Sequence, residues 1–310
     1  MDAPLWPYPL LRLKPGKEQL LGKRHPWIFS GAVADPAEAA VVRIADASGN
    51  VLGVGTASAT NPLAARVFRF EDGPLDEAFF RHRFEMALQL RKDLGHGDPQ
   101  EGVRWIFGEG DLLPGLVVDR YAHALVIQVG TAGLEALRPI WWPVLEALGR
   151  REGCTTFVER SQSGRKEEGL APVNRILKGS LGGPITIHEG PARLRVDLLR
   201  GQKTGFFLDQ RTHRLQLGSL AEGRRVLNAF GYTGGFSIHA GLGGALEVAT
   251  LDISAAALDQ AEADWRDNGL DPALHTRMEG DAFELMRQLE PESWDRVIVD
   301  PPAFAKQRKD

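Results

Sequence analysis

From Arg224 to Asp300, short apolar runs and helical patterns take turns: RRVLNAF, a helix opening at Gly235, LEVATLD, AAALDQAEADWRDNG, HTRMEGD, AFELMRQLE and DRVIVD. Apolar runs of this kind, spaced by helices, read as strands buried on both faces. Crossovers through a helix join parallel strands with one hand, so the segment is expected to form a doubly wound parallel α/β sheet. In such a sheet, ligands sit at the carboxyl ends of the strands. Here those ends are Asn228-Ala229-Phe230, Asp252, Gly280-Asp281-Ala282 and Asp300-Pro301-Pro302-Ala303-Phe304.

The first of these ends runs into Gly231-Tyr232-Thr233-Gly234-Gly235. Glycines there let the backbone approach a ligand and let a helix begin at once, with its unpaired amides available to an anionic group. The turn lacks the G-x-G-x-x-G fingerprint, which counts against a nicotinamide cofactor. Asp252 can accept both hydroxyls of a ribose. Each rim carboxylate is equally an ordinary cap for the helix that follows it, and for Asp281 taken alone that reading is favoured. Jointly, at one rim, they point to a nucleoside-bearing cofactor. Asp-Pro-Pro-Ala-Phe is the most specific element, because two prolines fix an extended turn rich in carbonyl acceptors and Phe304 offers a stacking face. Such a turn suits a base flipped out of its strand.

The chain upstream reads as two further modules. Residues 1–74 hold short strands with turn punctuation at Ser48-Gly49-Asn50 and predict a small β domain. Residues 75–185 open with an amphipathic helix, Leu75, Phe79, Phe80, Phe84, Leu88 and Leu90 at near-helical spacing, and continue as an α+β domain. Residues 186–310 hold a hairpin, ITIHEGPARLRVDLL, leading through GQKTGFFLDQRTHR into the parallel sheet. With 37 basic against 41 acidic residues the net charge is -4, so any nucleic-acid contact must come from a local face. Arg12, Lys14, Lys17, Lys23 and Arg24 oppose only Glu18 in the stretch to Gly31, with His25 and Trp27 beside them. This is an RNA footprint or a solvated lysine face around a core tryptophan. A lone Cys154 excludes an intrachain disulfide framework and a cysteine metal cluster, and no metal site is expected. Pro4, Pro7, Pro9 and Pro15 break the N-terminus as a signal peptide, and no apolar run reaches membrane length; a cytoplasmic protein with no membrane partner is expected.

VLNAFGYTGGF, EGDAF, VIVDPPAFAK and GQKTGFFLDQR together resemble a class I S-adenosylmethionine-dependent methyltransferase, with its Rossmann-like domain. Over nearly the whole chain the sequence resembles the bacterial 23S ribosomal RNA cytosine-5 methyltransferase family. GKRHPWIFSGA is similar to that family's N-terminal PUA RNA-binding module, and GEGDLLPGLVVDRY and RSQSGRKEEG to its central α+β domain. The resemblance implies S-adenosyl-L-methionine as cofactor, held by Gln210, Asn228, Phe230, Gly231, Tyr232, Thr233, Gly234, Asp252, Ile253, Asp281, Ala282 and Asp300. It makes Asp300 the catalytic carboxylate and puts Pro301, Pro302, Phe304, Lys203 and Arg211 around the target base. It assigns Arg12, Lys14, Lys23, Arg24 and His25 to RNA, names 23S rRNA as partner and admits a homodimer. Asn228 stands where many methyltransferases carry an acidic residue.

Cytosine C5 is too weak a nucleophile to take a methyl group unaided, and the family activates it by adding a cysteine thiolate to C6. Cys154 precedes the catalytic domain and reads as a buried or incidental thiol, so the nucleophile is expected beyond Asp310. The 310 residues alone are then expected to bind RNA without transferring a methyl group. The sheet is likewise expected to continue past DRVIVD, which would otherwise be an uncovered apolar edge. Two other functions fit the same residues: methyl transfer to a base nitrogen of rRNA, which needs no thiol, and a noncatalytic RNA-binding assembly protein.

Overall fold

The structure, a computed structural model, describes residues 4–162 and 164–302. The chain forms two compact units. One comprises the chain up to Gly183 together with Asp197–Gly205, and the other Pro184–Val196 together with the chain from Phe206 onward.

In the first unit β1 (Leu10–Arg12), β2 (Trp27–Phe29), β3 (Val41–Ala45), β4 (Val51–Ala57) and β5 (Leu63–Arg69) make a sheet in the order β1-β3-β4-β5-β2. It is antiparallel except where β1 runs beside β3. A single turn, α1 (Gln19–Gly22), lies between β1 and β2. The β3–β4 turn closes on Asp46, whose carboxylate accepts the backbone N–H groups of Ser48 and Asn50 at 2.9 Å each. The long helix α2 (Glu77–Asp93) starts where Asp76 accepts the N–H of Phe79 at 2.9 Å and ends on Arg91 and Lys92, which complement the helix dipole.

Phe79, Phe80, Phe84, Ala87 and Leu88 are the residues α2 buries. Leu90, expected on the same face, is 49% exposed. At 100° per residue it lies 200° round from Leu88, off the apolar stripe. A second sheet follows, β6 (Gly102–Phe107), β7 (Leu116–Tyr121), β8 (Ala124–Val129), β9 (Thr156–Ser161) and β10 (Val173–Lys178), in the order β10-β9-β8-β7-β6 with only β8 and β9 parallel. Helices α3 (Ala132–Ala136) and α4 (Arg138–Arg151) supply the β8–β9 crossover. One core joins Val54 and Phe68 of the first sheet, Phe80 and Phe84 of α2, Trp141 of α4, and Leu125 and Phe157 of the second sheet.

The second unit opens with the antiparallel hairpin β11 (Ile185–Glu189) and β12 (Ala192–Val196). Helix α5 (Arg211–Ser219) leads into β13 (Arg225–Ala229), α6 (Gly235–Leu242), β14 (Glu247–Asp252), α7 (Ala255–Asp267), β15 (His275–Glu279), α8 (Ala282–Arg287) and β16 (Arg296–Val299). The four strands are all parallel, in the order β15-β14-β13-β16. That is the doubly wound sheet the alternating pattern predicts, with the chain reversing its direction of travel beside β13. Parallel strands share their carboxyl edge, so Ala229, Asp252, Glu279 and Val299 end at one rim.

Candidate functional site

At that rim the turn after β13 has three residues in the left-handed region, Phe230 (φ 59°), Tyr232 (φ 48°) and Gly234 (φ 74°). Two non-glycine residues held this way are strained, a feature that gathers at ligand sites. The turn is fixed at both ends: Gly231 donates to Leu251 O and Gly234 to Gly231 O, each at 2.9 Å. A Cβ at Gly231 would lie 2.6 Å from Thr250 Cγ2, and one at Gly234 2.7 Å from Ala261 Cβ, so both glycines are required by close packing. No side chain caps α6, whose first-turn amides are left for another acceptor.

Asp252 ties the neighbouring strand to this turn. One carboxylate oxygen accepts the N–H of Tyr232 at 2.8 Å and the other the N–H of Ser254 at 2.9 Å. A carboxylate has about four acceptor sites, so two remain for hydroxyls. Next to it Ile253 is 74% exposed, a large apolar side chain presented at the same rim. Phe230 meets Phe283 edge-on, with ring centroids 5.3 Å apart. Asp281 caps α8, one oxygen accepting from Phe283 N at 2.8 Å and Glu284 N at 3.1 Å, while Ala282 is buried beneath. Asp281 thus does act as a helix cap.

Asp300 at the end of β16 is exposed and accepts from Gln210 Nε2 at 2.9 Å. Because that amide donates to Asp300, its oxygen is left to accept from His213 Nδ1 at 2.6 Å. Sequence reasoning passed over His213. The signal was its place three residues after Gln210, at the opening of a helix where such pairs meet. Behind it Arg214, 2% exposed, grips Glu189 with two bonds of 2.5 and 2.6 Å and donates to Phe207 O at 2.9 Å. His239 lies 3.0 Å from the same carboxylate. Burial pushes the Glu189 carboxyl up, but hydrogen bonds from Arg214 and His239 outweigh it and hold its pKa below the ordinary value. The cluster fastens the hairpin to the segment that carries Gln210.

Asn228 is 1% exposed, and its Nδ2 donates to Ser237 Oγ at 3.0 Å. Ser237 continues to Thr250 at 2.6 Å and Thr250 to His275 at 2.7 Å, a polar chain running under the rim. Thr233 is buried in the turn, Pro301 is half-buried and Pro302 exposed. Phe304 lies outside the described residues. Arg211 opens α5. Lys203 belongs to the first unit, exposed and at φ 52°. Thr204 pins it there, donating to the buried Asp119 at 2.6 Å and lying 2.7 Å from the Tyr121 hydroxyl.

Arg12 on β1 and Lys14, Lys23, Arg24 and His25 in the segment joining β1 to β2 are all exposed, and Trp27 and Phe29 of β2 are 39% and 50% exposed. His25 Nδ1 accepts the N–H of Trp27 at 3.2 Å. The tryptophan is therefore a surface ring and not the core residue of the solvated-face alternative. Cys154 sits in the core at 1% exposure, with its thiol pushed up to about 11 by burial. Among the described residues no His, Cys, Asp and Glu cluster is placed to hold a metal, and no helix is long and apolar enough to cross a membrane.

A doubly wound parallel sheet with a strained glycine turn and acids along its carboxyl edge is the fold of the S-adenosylmethionine-dependent methyltransferases. The family model of that description matches residues 176–309, and a PUA-like domain matches residues 11–70. Ribosomal RNA large subunit methyltransferase I of Shewanella denitrificans is 37% identical over 305 residues, 95% of this chain and 76% of the relative. Its namesake in Erwinia tasmaniensis is 38% identical over 309 residues, 96% and 77% of the two chains. The chain belongs to this family of S-adenosylmethionine-dependent methyltransferases. A solved Streptococcus mutans protein, assigned as a SAM-dependent methyltransferase, superposes with a TM-score of 0.80 at 23% identity over 95% of this chain and 77% of that one. A structure assigned as a methyltransferase in complex with SAH reaches 0.82 at 22% identity, covering 97% and 78%. At these identities the likeness concerns the fold.

Proposed function

We propose that the protein methylates a base of large-subunit ribosomal RNA, with C5 of a cytosine in 23S rRNA as target. The observation that carries the reading is the rim itself, where Asp252 and Asp300 end two strands flanking β13 while the strained turn lies between them. Asp252 would hold the cofactor's ribose, the turn Phe230–Gly234 with the uncapped start of α6 its methionine end, and Ile253, Asp281 and Ala282 its adenine. When bound, S-adenosylmethionine supplies an electrophilic sulfonium methyl. Gln210 orients Asp300, and Asp300 with the Pro301-Pro302 carbonyls would hold the amino edge of the base. The names of the relatives support the rRNA substrate, and the basic aromatic face of the first sheet gives it a footing. A cytoplasmic location fits such a substrate.

Methyl transfer to a base nitrogen is the second reading, and the Gln210–Asp300 pair favours it. C5 chemistry needs a thiolate, a role that Cys154, buried and with its thiol pushed up to about 11, does not fill. Asp300 beside Gln210 can polarise an exocyclic amine without one. Mass-spectrometric mapping of rRNA from cells with and without the gene decides the matter. Loss of one 5-methylcytidine supports the first reading, loss of an N-methylated base the second, and unchanged large-subunit rRNA refutes both.

A further inference from the structure

The two motifs of the central sheet that methyl transfer does not use, GEGDLLPGLVVDRY and RSQSGRKEEG, lie far apart in sequence and converge on one cavity. It has a volume of about 300 Å³ and opens at the ends of β6, β7, β8 and β9, lined among others by Phe107, Gly108, Gly115, Gln128 and Gln162. Its mouth carries the Phe107 ring, 56% exposed, with the Arg104 guanidinium over it at 5.1 Å. The amides of Gln128 and Gln162 make no side-chain hydrogen bond among the described residues, which leaves donors and acceptors together at an apolar wall.

The walls are rigid. Asp111 accepts the N–H of Phe107 at 2.6 Å and is held by Arg91 through two bonds of 2.6 and 2.8 Å. Gly130 donates to Gly115 O at 2.8 Å, and Leu112 is locked at φ 56°. Such a pocket is preformed and at the small end of the roughly 300–1,000 Å³ of ligand sites. It has room for one planar heterocycle. The cavity also joins the basic face, since Glu109 in its lining accepts from Trp27 Nε1 at 2.9 Å and Trp27 lies edge-on to His25, ring centroids 6.0 Å apart. Lys23 and Arg24 immediately precede that histidine.

We propose that this cavity receives one splayed-out base of single-stranded RNA, stacked on Phe107 and read by Gln128 and Gln162, while Lys23 and Arg24 hold the backbone outside. The site is distinct from the methyl-transfer rim and gives the rRNA reading, on which it rests, a second point of register. A ring presented to solvent, amides that can pair with a base edge, and cations at the entrance are the three components of single-strand recognition.

The test uses the full chain and fluorescent 12-nucleotide strands: oligoadenylate, oligouridylate, and the same ribose-phosphate backbone carrying abasic spacers. Wild type should bind a base-bearing strand more tightly than the abasic one. Phe107→Ala should weaken the base-bearing strands about tenfold and leave the abasic strand unchanged. Gln128→Leu should shift the ratio of adenylate to uridylate binding by about threefold or more. Since Phe107 is mostly exposed, both variants are checked for an unchanged thermal transition, and Gln162→Ala replaces any that shifts it. If the pocket variants are silent while Lys23→Gln with Arg24→Gln weakens every strand alike, the pocket proposal is overturned and RNA binding stands. If wild type binds none of the strands at low salt, both fall.

Discussion

The carboxylates of the two large sheets are held in opposite ways. In the second, mixed sheet of the first unit and the turn after β6, Asp119 receives Arg104 at 2.8 and 3.0 Å, Glu159 receives Arg138 at 2.6 Å and Arg175 at 3.0 Å, and Asp111 receives Arg91. At the rim of the parallel sheet, Asp252 and Asp281 receive backbone amides and Asp300 a glutamine amide. Among the described residues none of these three is paired with a cationic side chain. Guanidinium-bound carboxylates are neutralised and serve the architecture, whereas amide-bound ones are aimed yet keep their charge and free lone pairs for a ligand. Amide binding alone does not mark a site, since Asp46 and Asp76 are held the same way in a turn and a helix cap; what sets Asp252, Asp281 and Asp300 apart is that they share one rim.

If that is right, the two kinds of acid fail differently. Asp119→Ala leaves the Arg104 guanidinium and the Thr204 hydroxyl without their buried acceptor; with Arg104 31% exposed and able to turn to water, the cost falls below that of a fully buried pair, to about 2–3 kcal/mol. Urea denaturation should show that loss; a change under about 1 kcal/mol would break the comparison at its structural end. Asp252→Ala should do the reverse. Two turn amides can turn to water, so stability falls by only about 1 kcal/mol, while loss of the ribose acceptor weakens S-adenosylmethionine binding tenfold to a hundredfold, on the order of 1.4–2.7 kcal/mol. Calorimetry measures it, and unchanged affinity removes Asp252 from the site.

How much of this was written in the sequence follows the same division. The parallel strands and their acidic ends were legible because apolar runs and helix periods are local, and because each rim acid begins or ends its own element. The hairpin ITIHEGPARLRVDLL was legible for the same reason. The long-range partners were not: Glu189 and Arg214, or Asp119 and Thr204, come together only when the chain folds back, and no spacing announces them. Leu90 shows the limit of periodicity by eye, since an apolar residue near the stripe can still miss it. Asn228 was legible as a rim residue, but its turn inward to Ser237 depends on a helix that the strand alone does not position. The cavity at Phe107 depends on the ends of four strands and had no sequence signal beyond its motifs.

The basic face provides a smaller effect that probes charge on the other side of the comparison, cations that are exposed instead of paired. Replacing Lys23 and Arg24 by Gln should weaken RNA binding and reduce the steepness of its salt dependence by about 1.4 in log–log slope, at roughly 0.7 per phosphate contact on a single strand. Cofactor affinity should stay the same. Filter binding across several salt concentrations reads the slope, and a slope equal to wild type would make the face a solvated one.

The smallest effect tests whether the interior under the rim is neutral, as the comparison requires. His275 lies 2.7 Å from Thr250 and stacks on Trp265, ring centroids 4.7 Å apart and planes 20° from parallel. Burial pushes its pKa below the usual 6.5; the Glu262 charge opposes this and Arg266 adds to it. The unfolded chain therefore takes up a proton near pH ~6.5 that the folded chain refuses, and the unfolded state binds more protons as the pH drops through that value. Stability from this group is fully present above pH ~6.5 and is lost below it until the depressed folded pKa is reached, at no more than ~1.4 kcal/mol per pH unit for a single proton. His275→Phe keeps a ring on Trp265 and removes the proton, so its urea-derived stability should vary less than wild type between pH 7.5 and 5.5. If the two stabilities stay a constant distance apart over that range, His275 does not titrate differently on folding, and the polar chain from Asn228 to His275 is not the proton-excluding interior inferred here.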